Sequence, residues 1–244
     1  MKVLRRRIVA VLFLVGLILP PIASCAAIGS VADSVTGPRG VLRIAGADPS
    51  TLDPALAQDN VSFSYLVQIY SGLVRLDPKL AIQPGIASSW EVSNGGRTYT
   101  FHLKENARFQ DGRAIRASDV RFSLERALDP ATRSPTASTY LSDIVGARER
   151  LAGKAAAVSG IEVVDPLTLR ITIDAPKAYF LAKLTYSTGL VTDSKNVATG
   201  PDWSNHPNGS GPFTLKSFTP HDKLILARNP RYFGTLATLA EIDY

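Results

Sequence analysis

The sequence predicts an α/β protein built on a mixed sheet. Segments with strand-like alternation and segments with helical period intermingle along the chain. Two tight hairpins are marked by Asn94-Gly95-Gly96 and by Asp165-Pro166-Leu167-Thr168. No steady strand–helix–strand rhythm demands an all-parallel sheet. With 244 residues, 45% of them hydrophobic, the chain is long enough for one large domain or two small ones around a full apolar core.

The elements follow in order. Residues 41–45 read as a short strand. Phe63, Leu66, Val67 and Tyr70 recur at helical spacing, and Gly72 is placed to end that helix. Pro84-Gly85 marks a turn, followed by a short helix ending near Trp90. The strand returning from Asn94-Gly95-Gly96 alternates, with Tyr99, Phe101 and Leu103 on one face and Thr98, Thr100 and His102 on the other. Asp111-Gly112 turns the chain again, and Ser118 is placed to cap a helix that sends Val120, Leu124 and Leu128 inward. Strands over residues 161–164 and 169–173 flank the second hairpin, and residues 179–184 suggest a short helix after Pro176. Near the end, strands over 213–215 and 223–228 meet across Thr219-Pro220-His221-Asp222, and residues 241–244 open a further alternating segment.

Charge excludes one function class. The net charge of +6 invites a nucleic-acid partner, but Lys2, Arg5, Arg6 and Arg7 account for four of the 27 basic residues. That leaves 23 against 21 acidic residues, without the clustered basic face that phosphate binding needs. No nucleic-acid partner is expected. Those four cations instead introduce a twelve-residue apolar run over residues 8–19, broken by Pro20-Pro21. The run is too short to span a bilayer and fits the hydrophobic part of an export signal covering residues 1–24.

Ile22-Ala23-Ser24-Cys25 follows, and it resembles a bacterial lipobox. In such signals the cysteine becomes the acylated N-terminus, because thioether formation needs a sulfur nucleophile. Ordinary cleavage at Ser24-Cys25-Ala26 is the alternative. Cys25 is the only cysteine, so no intrachain disulfide is possible. Residues 25–40 are small, polar and punctuated by Gly and Pro, as in a tether.

Residues able to carry chemistry are scattered. His102, His206 and His221 lack companions at metal-ligand spacing and read as surface residues. Gly209-Ser210-Gly211-Pro212 fits neither a nucleophile elbow nor a phosphate loop and reads as a close backbone approach. Asp48, Asp53 and Asp59 share one loop and resemble acid/base carboxylates, but Asp53 before Pro54 suits a turn cap. Tyr140, Tyr179 and Tyr186 suit either a ligand cleft or core packing. No nucleophile–base pair emerges, so a secreted hydrolase is the weakest reading, and neither a cofactor nor a metal is expected.

One stretch is more specific. Residues 83–126, from Gln83-Pro84-Gly85 through Thr98-Tyr99-Thr100-Phe101 and Phe109-Gln110-Asp111-Gly112 to Ser118-Asp119-Val120, closely resemble the signature region of the extracytoplasmic solute-binding proteins that serve peptide and nickel importers of the ABC type. The resemblance extends over Leu52-Asp53-Pro54, Tyr70-Ser71-Gly72-Leu73-Val74, Gly209-Ser210-Gly211-Pro212-Phe213 and Asn229-Pro230-Arg231-Tyr232-Phe233-Gly234. Asn94-Gly95-Gly96 stands where an Asp-Gly turn is usual, and Gln110 where His is common.

The resemblance implies a lobe like those of type II periplasmic binding proteins, with a mixed sheet and an inserted small subdomain. Residues 41–55 and 195–244 would form the main lobe, residues 56–194 the insert, and the second lobe of the usual pair would be missing. It implies a monomeric lipoprotein, held on the outer side of the membrane by Cys25, that captures a peptide or related small solute for ABC permease subunits. Loops 50–59, 137–140 and 187–189 would wall the cleft, with Gln58, Tyr140 and Thr188 as the expected ligand contacts. Peptide, nickel complex and other solutes stay open, as does a truncated chain that binds little alone.

Overall fold

The computed structural model describes residues 40–244. The expected export signal, the acylated Cys25 and the tether up to residue 39 therefore lie outside the described residues.

Three sheets organise the chain. The first holds β1 (Gly40–Arg43), β10 (Leu239–Asp243), β9 (Lys223–Arg228) and β8 (Phe213–Thr219), in that spatial order. β1 runs parallel to β10, while β10–β9 and β9–β8 are antiparallel, so the sheet is mixed. The second is a small ribbon of β2 (Val74–Leu76) and β3 (Ile82–Pro84). The third is antiparallel, in the order β4 (Ala87–Ser93), β5 (Thr98–Leu103), β7 (Thr168–Thr172) and β6 (Ile161–Asp165). Between the strands lie α1 (Asn60–Ile69), α2 (Ala117–Ala127), α3 (Ala137–Leu141), α4 (Ala147–Leu151), α5 (Phe180–Lys183) and α6 (Ser194–Val197).

β5 shows why the third sheet forms. Its alternation buries Tyr99, Phe101 and Leu103, and the register sets Tyr99 opposite Ile171 and Phe101 opposite Leu169 of β7. α2 covers this face with Val120, Leu124, Ala127 and Leu128, all buried in the same cluster. Burying such side chains contributes about 1.5–3 kcal/mol each before conformational entropy is subtracted.

A second cluster lies under the mixed sheet, where Phe213, Leu224, Leu226 and Ile242 meet Tyr65, Leu66, Ile69 and Tyr70 at and beyond the end of α1. Strand β1 begins at Gly40, the residue expected to close the tether.

Three local expectations are corrected. The segment leading to Trp90 is strand β4, not helix, and Trp90 faces Phe101 with ring centroids 6.5 Å apart. A few residues without a cap cannot nucleate a helix, whereas the ready ladder of β5 rewards extension.

Helix α2 is not capped by Ser118. It starts at Ala117, and the Asp119 carboxylate reaches back to accept the Arg116 N–H at 2.8 Å.

α1 does not run to Gly72. It closes at Tyr70, which adopts extended backbone, while Gly72 bridges Leu190. Its buried face is Ser62, Tyr65, Leu66 and Ile69, leaving Phe63 and Val67 half-buried on the flank.

The seam between the two clusters is made of close backbone contacts and buried ion pairs. Gly211 N–H donates to the Ile69 carbonyl at 2.8 Å, the Ser71 hydroxyl to the Ser210 carbonyl at 3.0 Å, and the Asn229 amide to the Gly211 carbonyl at 2.8 Å. A Cβ on Gly209 would lie 2.0 Å from the Ile69 carbonyl oxygen, so the Gly-Ser-Gly run serves close approach. Arg126 grips Asp53 with both arms, at 2.9 and 2.5 Å, and lies 5.1 Å from the Trp203 ring.

Candidate functional site

The loop before α1 is rigidly pinned. Asp59 caps α1 by accepting the Ser62 N–H at 2.8 Å, and its second oxygen accepts the Ser50 and Ser62 hydroxyls at 2.5 and 2.9 Å. The Ser50 hydroxyl and the Ser62 N–H, outweighing a little burial, hold its carboxyl below the usual range. Both oxygens are thus taken, and Asp59 acts as scaffold. Asp53 accepts the Ala55 N–H and pairs with Arg126, and Asp48 accepts the His221 N–H, so none of the three loop carboxylates is free for acid/base work.

Beside this loop stands a stack of three rings. Tyr140 of α3 and Tyr186 lie face to face, with centroids 3.7 Å apart and 3° between planes. Phe63 of α1 continues the stack on Tyr186 at 5.7 Å and 14°. All three are half-buried, so one edge of the stack meets solvent. Burial first, then the neighbouring Tyr140 hydroxyl and the Asp59 charge, raise the Tyr186 phenol above its usual value, which keeps it a proton donor at neutral pH. The turn Ser187–Gly189 anchors the assembly, its Ser187 hydroxyl donating to the Ala57 carbonyl at 3.3 Å.

The expected contacts fall in different settings. Gln58 is exposed, one residue from Asp59 and next to the Ala57 carbonyl that Ser187 holds. Tyr140 is in the stack. Thr188 is 2% exposed, and its hydroxyl has no partner among the described residues, so it lies beneath the surface and does not present itself. Tyr179 is 54% exposed, with Lys183 5.1 Å above its ring, and stands apart from the stack. The helical spacing of Phe63 with Leu66, Val67 and Tyr70 does not single Phe63 out for the stack; only the phase of the buried face of α1 reveals it.

His102 is half-exposed, and His206 and His221 are exposed. Among the described residues no group of three His, Cys, Asp or Glu side chains could hold a metal, and no helix is long and apolar enough to cross a membrane.

Residues 81–244 match the family model for bacterial extracellular solute-binding proteins, family 5 Middle. The chain belongs to this family. Members it resembles include the probable deoxycholate-binding periplasmic protein YgiS of Escherichia coli, 32% identical over 87% of this chain and 41% of that protein. Another is the periplasmic murein peptide-binding protein MppA of the same organism, 32% identical over 80% of this chain and 37% of the relative. A solved periplasmic oligopeptide-binding family member from Borrelia burgdorferi superposes with a TM-score of 0.80 at 34% identity, covering 84% of this chain and 43% of that one. The chain thus spans about two fifths of the length of these family members. Its mixed α/β fold is shared with these periplasmic binding proteins.

Proposed function

We propose that this chain forms one wall of the solute-capturing receptor of an ABC importer, taking a peptide or related small solute against Gln58 and the ring stack. The single observation that carries the reading is the Phe63–Tyr186–Tyr140 stack, exposed along one edge beside a loop locked by Asp59. Rings held by packing offer contact area at low entropic cost. The names of the relatives support a peptide first and an amphipathic acid second. Thr188 then supports the turn from below and does not touch ligand. The absence of a nucleophile–base pair at the stack favours capture over catalysis.

The division into a main lobe of residues 41–55 and 195–244 and an insert of residues 56–194 remains part of the proposal, and the packing of α1 under the mixed sheet favours counting that helix with the main lobe. Export and acylation at Cys25 complete the proposal, with the receptor monomeric on the outer face of the membrane and handing its solute to permease subunits. Mass spectrometry of the membrane-bound protein tests the anchor: a diacylglycerol adduct is expected, and Cys25→Ser should release the protein unmodified.

Thermal unfolding with tri- and tetrapeptides tests the site. A peptide at ten times its dissociation constant adds about 1.4 kcal/mol, or roughly 3–5 °C for a chain of this size. Tyr186→Ala should remove that shift. A flat response to peptides and acids alike would overturn capture by this wall alone and leave the reading in which the chain binds little by itself.

A further inference from the structure

A second concavity opens beside α1 and shares Phe63 with the ring stack. Its volume is about 710 Å³, within the range of roughly 300–1,000 Å³ usual for small-molecule sites. Phe63 and Val67 of α1, Val74 and Leu76 of β2, Leu190 and Pro212 give it apolar walls. Into this apolar setting the fold brings two cations, Arg75 of β2 and Lys104 just after β5.

Arg75 is exposed and Lys104 half-buried. Arg113, Arg126, Arg150, Lys177 and Lys183, five cations drawn into the body of the fold, are each paired with a carboxylate. Arg75 and Lys104 have no ion pair among the described residues. Lys104 only lies 5.3 Å from the Phe233 ring. Burial lowers the affinity of Lys104 for its proton, and the charge of Arg75 lowers it further, so the two cations repel.

The carboxylate of Asp77, whose proton affinity is lowered chiefly by the Ala81 N–H and only last by the charge of Arg75, is committed elsewhere. It accepts the Lys79 and Ala81 N–H groups at 2.8 and 2.9 Å and the Gln83 amide at 3.3 Å. Tyr232 adds a phenol that burial keeps protonated, a donor on the same wall. Two like charges beside apolar walls, one of them half-buried and neither in an ion pair among the described residues, are relieved by an anion, and apolar walls of this size favour one with a hydrocarbon body.

We propose that this groove is a second ligand site, meeting the ring stack only at Phe63, that takes an amphipathic carboxylate with Arg75 and Lys104 gripping the charged end. The site goes beyond the capture reading above and does not depend on it.

Calorimetric titration of the full chain with decanoate below its micellar concentration tests the proposal, with decanol and decyltrimethylammonium as controls. Decanoate should bind at least tenfold tighter than either. Arg75→Gln combined with Lys104→Gln should abolish that preference while leaving the weak decanol signal. Arg75→Lys combined with Lys104→Arg should keep most of it, at an unchanged thermal midpoint. Tyr140→Ala, at the end of the stack away from Phe63, should leave decanoate affinity untouched. Equal binding of decanoate and decanol, or a preference that survives the double Gln variant, overturns the site. Loss of decanoate binding in Tyr140→Ala would move the ligand to the ring stack and equally defeat a separate site.

Discussion

Arg126 and Asp53 join residues 73 positions apart through a two-armed contact that is nearly dry, with side chains 16% and 5% exposed. Replacing Arg126 by Met removes the counter-charge but leaves Asp53 buried, so a loss of about 3–5 kcal/mol is expected in urea unfolding. Coupling it with Asp53→Leu should restore much of that, because an apolar pair of similar bulk needs no partner.

Asp143 poses the question in acid. Burial alone would raise its carboxyl, but the ammonium groups of Lys177 and Lys183, at 2.6 and 2.7 Å, outweigh this and hold it below the usual carboxylate range. A carboxyl depressed in the folded state stabilises above its unfolded value, and that stability disappears as pH falls through the folded one. Urea midpoints should therefore drop steeply from about pH 4 downward, and Asp143→Asn, weaker at neutral pH, should show a shallower decline there.

Single side chains of this kind were hard to read from sequence. Asp53 was expected to cap a turn, which it does through the Ala55 N–H, but nothing in the chain announces Arg126 as its second partner. The ring stack shares that difficulty, since Tyr140 and Tyr186 meet only because the third sheet and its helices bring α3 to the turn at Ser187–Gly189.

At the scale of elements, strict alternation made β5 legible, as did the turn residues around it. β2 and β3 left no such trace, being three residues each around a turn in which Leu80 takes φ 62° without any Gly or Asn signature. α3 and α4 have five residues apiece, too few for a helical period to register.

The hairpin and the seam differ in what they demand of glycine. Gly95 has φ 60° but open space around it, so Gly95→Ala should cost only about 1 kcal/mol, the conformational term. At Gly211 a Cβ would meet the Gln68 carbonyl oxygen at 2.2 Å, backbone that cannot step aside. Gly211→Ala should therefore cost about 3 kcal/mol or more, or prevent folding, as thermal unfolding of the two variants will reveal.

For the whole molecule, the mixed α/β class was legible because class depends on summed pattern and not on any one boundary. The packing of α1 under the mixed sheet was not, since nothing in the pattern of that helix names the sheet it covers. Two apolar clusters sharing a seam also imply graded stability. Deleting residues 239–244 should strip hydrogen-exchange protection from β1 and β9 while amides of β5 and β7 stay protected, because β5 and β7 pair within their own sheet.

The parallel pairing of Gly40 with Leu239 has a temporal side. A ribosome adding about 5–20 residues per second needs roughly 10–40 s between making one strand and its neighbour. Throughout that interval the nascent segment around Val41 and Leu42 waits without its mate, and any partner that shields it must let go before the sheet can close.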